Sequence, residues 1–264
     1  MYEAHFHLRP RPFAETVDAA QYIGLPSRDS AIRRMRYGLE GSSGPVMMVG
    51  PVGSGKTILS RVLADEIGGH AVHLTFPTMP ADQILAFLAE ELGAPPDSSS
   101  GMAGSLRRLR SVLAEPRETR PLLIVDEAHL IDDPSVFESL RLLLNFASTG
   151  TPDLAMILVG APDLRDKIPA SLLDRLSARC SLSPLSESES AAYVLGRLFL
   201  AGAETPLFDA ESLSALHREA EGLPRRLNRL ADLSLLIAYA RDREAADAEA
   251  VDLAAREAAY LPAA

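Results

Sequence analysis

The chain has 264 residues, 47% apolar and 23% charged, enough for one large or two unequal globular domains and far from the composition of a disordered or fibrous protein. Acidic residues outnumber basic ones by 36 to 26, and the resulting net charge of −10 argues against a dedicated nucleic-acid binder. No apolar run reaches the roughly 18 residues of a membrane span, the opening lacks a signal-peptide core, and the single Cys180 excludes an internal disulfide and suits a buried thiol, a pattern that points to the cytoplasm.

In chain order, residues 1–27 read as irregular, with prolines at 10, 12 and 26. A helix is expected from Asp29 to Leu39, followed by a short buried strand in "PVMMVG". After a glycine-rich turn, "KTILSRVLADEIG" has helical periodicity and stops at Gly68. "HAVHLTF" is a second strand, "ADQILAFLAEELG" a helix, "PPDSSSG" a loop and "SLRRLRSVLAE" another helix. "PLLIVDEAH" is a third strand, apolar on both faces and so covered on both sides. "DPSVFESLRLLLNFA" opens as an Asp-Pro helix start. "LAMILVG" and "ARCSLSPL" supply a fourth and a fifth strand. Such alternation predicts an α/β, three-layer αβα domain with a mostly parallel sheet. From about Ser186 the pattern changes to helices alone, over 186–201, 209–220, 224–241 and 247–259. A nucleotide-binding domain at 1–185 and a small all-α domain at 186–264 are therefore expected.

The chemistry is concentrated in two segments. "GPVGSGKT", residues 50–57, satisfies every position of the phosphate-loop pattern G-x-x-x-x-G-K-S/T, between a strand and a helix. Gly50, Pro51, Val52, Gly53, Ser54 and Gly55 form the nucleotide-binding loop, whose glycines would let backbone N–H groups turn toward phosphate oxygens, where the helix N-terminus adds partial positive charge. Lys56 would reach the β- and γ-phosphates, and Thr57 would hold Mg²⁺. "LLIVDEAH", residues 122–129, ends a strand in two carboxylates, at the sheet edge where ligands of parallel sheets bind. Asp126 would hold the Mg²⁺ ion, and Glu127 would orient and deprotonate an attacking water. A second carboxylate after the metal-binding one favours ATP hydrolysis over transfer to a metabolite, and the absence of N-K-x-D argues against GTP.

With these segments in view, the sequence resembles the AAA+ ATPases, and more narrowly the ExeA/GspA group of general secretion pathway protein A, related to MshM and to the transposition ATPases TniB and TnsC. The likeness runs through "MYEAHFHLRPRPF", with Phe6, Pro12 and Phe13 in place, "GPVGSGKT", "FPTM", "DEAHLID", "LRLLLNF", "ILVGAPDLR" and "GLPRRLN". The resemblance implies a P-loop NTPase core followed by a helical AAA+ lid. It implies that Arg225, in the lid motif G-x-P-R, senses the γ-phosphate in cis. Arg226 and Arg229 read as solvent-facing or intersubunit groups. "LLDRLSARC" is similar to the segment that carries an arginine finger, with Arg175 the first candidate and Arg179 the second. Two departures stand out. The fourth strand ends in "GAPD", without the polar residue that often positions the lytic water, and the family's transmembrane and peptidoglycan-binding regions do not follow the lid here.

The resemblance implies an oligomeric, Mg²⁺-dependent ATPase that assembles or remodels a protein client of secretion or envelope type. Two alternatives stay open. One is a DNA-associated regulator of the transposition kind, using Arg33, Arg34 and Arg36 or Arg107, Arg108 and Arg110; the polar face of an amphipathic helix explains the same arginines. The other is a nucleotide switch that hydrolyses weakly.

Overall fold

The computed structural model describes residues 1–41, 44–95, 101–115, 118–146 and 153–260. Most of the expected "PPDSSSG" loop and the end of "LRLLLNFA" fall outside these residues. The chain divides into two compact units. One comprises Ser30–Pro51 and Leu59–Leu182; the other comprises Met1–Asp29, Val52–Ile58 and Ser183–Ala264.

The first unit is built on five parallel strands: β1 (Val46–Val49), β2 (Ala71–Leu74), β3 (Leu122–Val125), β4 (Ala155–Gly160) and β5 (Ala178–Ser181). Their order across the sheet is β2-β3-β4-β1-β5. Val46 pairs with Ile157 on one side and Ala178 on the other, so β1 is interior and β5 is an edge. All four residues of β3 and all six of β4 are buried, as the unbroken apolar runs require. All five strands are parallel, so their C-terminal ends lie along one edge of the sheet.

Helices supply the rest of this core. α4 (Ala81–Glu91) buries Ile84, Leu85 and Leu88, α5 (Met102–Leu113) buries Leu109 and Val112, and α6 (Pro134–Leu143) buries Val136, Phe137 and Leu140. α6 starts where an Asp-Pro pair should start it: Pro134 occupies the first turn and the Asp133 carboxylate accepts from Ser135 N at 2.9 Å. Two short helices, α7 (Leu164–Lys167) and α8 (Ala170–Leu173), lead to β5, where Cys180 is buried.

Two helices run through both groupings of residues. α2 (Pro26–Gly41) begins three residues before the expected Asp29, because a proline is well suited to a first helical turn. α3 (Lys56–Ile67) follows the glycine-rich turn.

The second unit packs four helices, α9 (Glu187–Leu200), α10 (Ala210–Ala220), α11 (Pro224–Ala240) and α12 (Ala248–Tyr260). α9 opens with a capping box: Glu189 N donates to Ser186 Oγ and Ser186 N to Glu189 Oε2. α10 is capped by Asp209, whose carboxylate accepts from Ser212 N at 2.8 Å.

The opening segment is not loose chain. It holds a short helix α1 (Tyr2–His5), and Tyr2, Phe6, Leu8 and Phe13 are buried in the same cluster as Leu216, Leu227 and Leu235 of the helices. Polar contacts fasten it. Tyr2 OH donates to Asp232 Oδ1 at 2.5 Å, and Arg11 pairs with the same carboxylate. Buried Arg197 donates to the carbonyls of Pro12 and Ala14 at 2.7 and 2.9 Å.

Candidate nucleotide site

The phosphate loop leaves β1 at Gly50, whose N–H donates to Gly160 O at 3.2 Å. Gly53 and Gly55 have φ of +79° and +91°, a conformation that turns successive amides to one side and that other residues resist. Between them the Ser54 hydroxyl is buried, with no hydrogen-bond partner among the described residues. Lys56 is also buried, although it is a residue type seldom found so. A loop of this shape, with an unpartnered hydroxyl and a buried ammonium at a helix start, fits a bound polyphosphate.

Arg225 lies at this loop. Its backbone N–H donates to Gly53 O at 3.2 Å, and a Cβ added at Gly53 would sit 2.9 Å from that of Arg225. Two features of "GLPRR" produce the approach. Pro224 fills the first turn of α11, where a missing N–H costs nothing. Gly222 has φ +67°, accepts from Leu185 N at 2.8 Å, and has Leu185 O only 2.3 Å from where a Cβ would stand. No side chain fits there. The Arg225 guanidinium is 60% exposed and lies 3.8 Å from Glu15 Oε1, a neighbour with no signal in the sequence. Arg226 pairs with Glu221 at 2.6 Å and Arg229 donates to Ala258 O at 3.4 Å; both are exposed.

On the sheet edge, β3 ends in the acidic pair. Asp126 is buried and its Oδ1 accepts from Glu127 N at 2.9 Å. Glu127 has φ +49°, so the chain reverses there instead of continuing the strand's alternation. A 3-10 turn follows at Ala128–Leu130, and Lys167 Nζ donates to His129 O at 2.6 Å. His129 Nδ1 lies 3.3 Å from Glu127 Oε2 and 3.3 Å from Ala161 N, just beyond β4. No role is assigned to His129 from the sequence alone; its position two residues after the second carboxylate was the available signal. His73 on β2 titrates below its ordinary value because of burial and then the nearby Arg61 charge, with Asp126 and Asp65 opposing.

The finger candidates differ in their surroundings. Arg175 Nη1 donates to Asn145 Oδ1 at 2.9 Å and to Arg141 O at 3.4 Å, and the residue is half-buried. Arg179 is exposed on the edge strand β5, with one guanidinium N–H donated to Leu173 O. Among the helix arginines, Arg33, Arg34, Arg107 and Arg110 are exposed beside buried apolar neighbours, Arg36 pairs with Glu40 and Glu66, and Arg108 donates to the Ala94 and Pro95 carbonyls.

Residues 39–168 match the AAA domain family. Over 251 residues the chain is 33% identical to general secretion pathway protein A of Aeromonas hydrophila, covering 91% of this chain. Residues 39–168 are thus an AAA domain. It spans 45% of the length of that Aeromonas relative. Solved structures agree on the fold. Cdc6p from Pyrobaculum aerophilum superposes with a TM-score of 0.75 at 20% identity, covering 93% of this chain and 70% of that one. The ORC2 protein of Aeropyrum pernix gives 0.71 at 20%, covering 94% and 71%. The RuvB Holliday junction branch migration motor of Thermotoga maritima gives 0.64 at 18%, covering 93% and 73%. The architecture is that of a P-loop NTPase, and an AAA domain implies nucleotide binding. Among the described residues no helix is long and apolar enough to cross a membrane.

Proposed function

We propose that this protein binds ATP with Mg²⁺ and hydrolyses it, as an oligomer acting on the cytoplasmic side, to assemble or remodel a protein complex of secretion or envelope type. The observation that carries the reading is the bond from Arg225 N to Gly53 O, which ties the start of a lid helix to the phosphate loop. The likeness to general secretion pathway protein A supports the choice of client.

In this reading Lys56 and the backbone N–H groups of residues 52–55 hold the β- and γ-phosphates. Thr57 and Asp126 hold Mg²⁺, which when bound neutralises charge on the phosphate oxygens. Glu127 takes a proton from the attacking water. Arg225, permanently charged and 60% exposed, exchanges its contact with the Glu15 carboxylate for the γ-phosphate. The change of pattern near 184–186 separates the nucleotide-binding domain from the lid. A finger arginine comes from a neighbouring subunit: Arg175, or Arg179, whose exposure on an edge strand supports it.

The test is the ATPase rate per subunit at low and high protein concentration, with and without duplex DNA. A rate that rises with concentration and ignores DNA supports an intersubunit site acting on protein. Stimulation by DNA that falls steeply with salt would replace this reading with a DNA-associated one.

A further inference from the structure

The end of β4 poses a problem for hydrolysis, because Gly160, Ala161 and Pro162 offer no polar side chain to steady a water. The fold explains the glycine. A Cβ at Gly160 would stand 2.9 Å from Leu164 Cδ2 and 3.2 Å from His129 N, so the space for a side chain is filled by Leu164 of α7 and by the turn that follows β3. The same close approach carries the His129 ring to Ala161.

Its Nδ1 then faces two partners of opposite kind, the Ala161 N–H donor and the Glu127 Oε2 acceptor, each at 3.3 Å. A neutral imidazole nitrogen can donate or accept but cannot do both. With the proton on Nδ1, His129 donates to Glu127 and Ala161 N–H loses its acceptor. With the proton on Nε2, Nδ1 accepts from Ala161, and Glu127 is released from the ring. Neither alternative requires the ring to move, and the Lys167 bond to His129 O holds the turn in place.

We propose that His129 is a positioning residue for Glu127, taking the role that a polar side chain at the end of β4 would otherwise fill. Through the one nitrogen, the backbone at the end of β4 and the orientation of the Glu127 carboxylate are coupled. This deepens the reading of Glu127 as the group that activates water, and it rests on that reading.

The experiment compares the parent chain with His129→Ala, His129→Asn, Glu127→Gln and the Glu127→Gln/His129→Ala double variant. Single-turnover ATP hydrolysis is measured with protein in excess, and affinity with a fluorescent ATP analogue. His129→Ala is expected to slow hydrolysis about tenfold with affinity unchanged, because a misplaced catalytic group loses rate without losing binding. His129→Asn, which sets an amide donor and acceptor near the Nδ1 position, is expected to stay within about threefold of the parent. In the Glu127→Gln background the alanine change is expected to have no further effect, the signature of a residue acting through its neighbour.

A His129→Ala rate equal to the parent's, an equal fall in the Glu127→Gln background, or no rescue by asparagine overturns the proposal. If Glu127→Gln turns over like the parent, the hydrolytic reading falls first. The ¹⁵N resonance of His129 Nδ1 then decides the pairing: a shift on replacing Glu127 retains it, and a fixed resonance overturns it too.

Discussion

At the scale of single residues, Lys56 and Glu127 should separate binding from turnover. Lys56→Ala is expected to abolish detectable binding of a fluorescent ATP analogue, since a buried ammonium at the phosphate loop has no substitute. Glu127→Gln should keep binding and lose about 100-fold or more in hydrolysis, within the range for a removed general base. His73 adds a pH dependence. Its folded value is depressed, so between that value and the unfolded one of about 6.5 the unfolded chain binds more protons and stability rises with pH. Its contribution is complete above about 6.5 and is lost as pH falls below it, an effect that His73→Gln should flatten in denaturant titrations between about pH 5 and 7. Residues named by short patterns were legible in the sequence, because each pattern is a local demand: an amide-turning loop, a carboxylate at a strand end, a proline in a first turn. His129 was not, since its role depends on Ala161, which only strand pairing brings near.

At the scale of elements, α11 is the part whose start matters most. Gly222 is both left-handed and backed against Leu185 O, so Gly222→Ala should destabilise the chain by at least about 2 kcal/mol and weaken ATP binding by displacing Arg225. Urea unfolding and analogue titration check the two parts. A cost under about 0.5 kcal/mol would mean the turn relaxes freely. Helix starts in this region could be read from the sequence because Ser186, Asp209 and Pro224 announce them chemically. The fully apolar runs of β3 and β4 announced themselves as well. The first 25 residues did not, since their apolar positions follow no helix or strand period and are buried by residues far along the chain.

At the scale of the whole molecule, Arg197 is the keystone of the opening segment's attachment, holding two carbonyls in a buried setting. Arg197→Met keeps the length and apolar stem but leaves the Pro12 and Ala14 carbonyls unpaired, a loss of about 2–4 kcal/mol. Limited proteolysis should then cut within the first 25 residues of the variant and spare the parent. Equal resistance would show that Tyr2, Arg11 and the aromatic contacts suffice without it.

The unit that contains the phosphate loop draws on three separate stretches of chain, and this has a consequence for synthesis. Tyr2 meets Asp232 across 230 positions, and Gly53 meets Arg225 across more than half of the chain. A ribosome adding about 5–20 residues per second leaves Tyr2, Phe6, Leu8 and Phe13 without their partners for on the order of ten seconds or more. During that interval the sheet can form, but the loop that would grip a nucleotide has no α11 behind it. The loop therefore gains its α11 contact only after the sheet that carries the acidic pair has been synthesised, and the apolar opening segment stays uncovered until then.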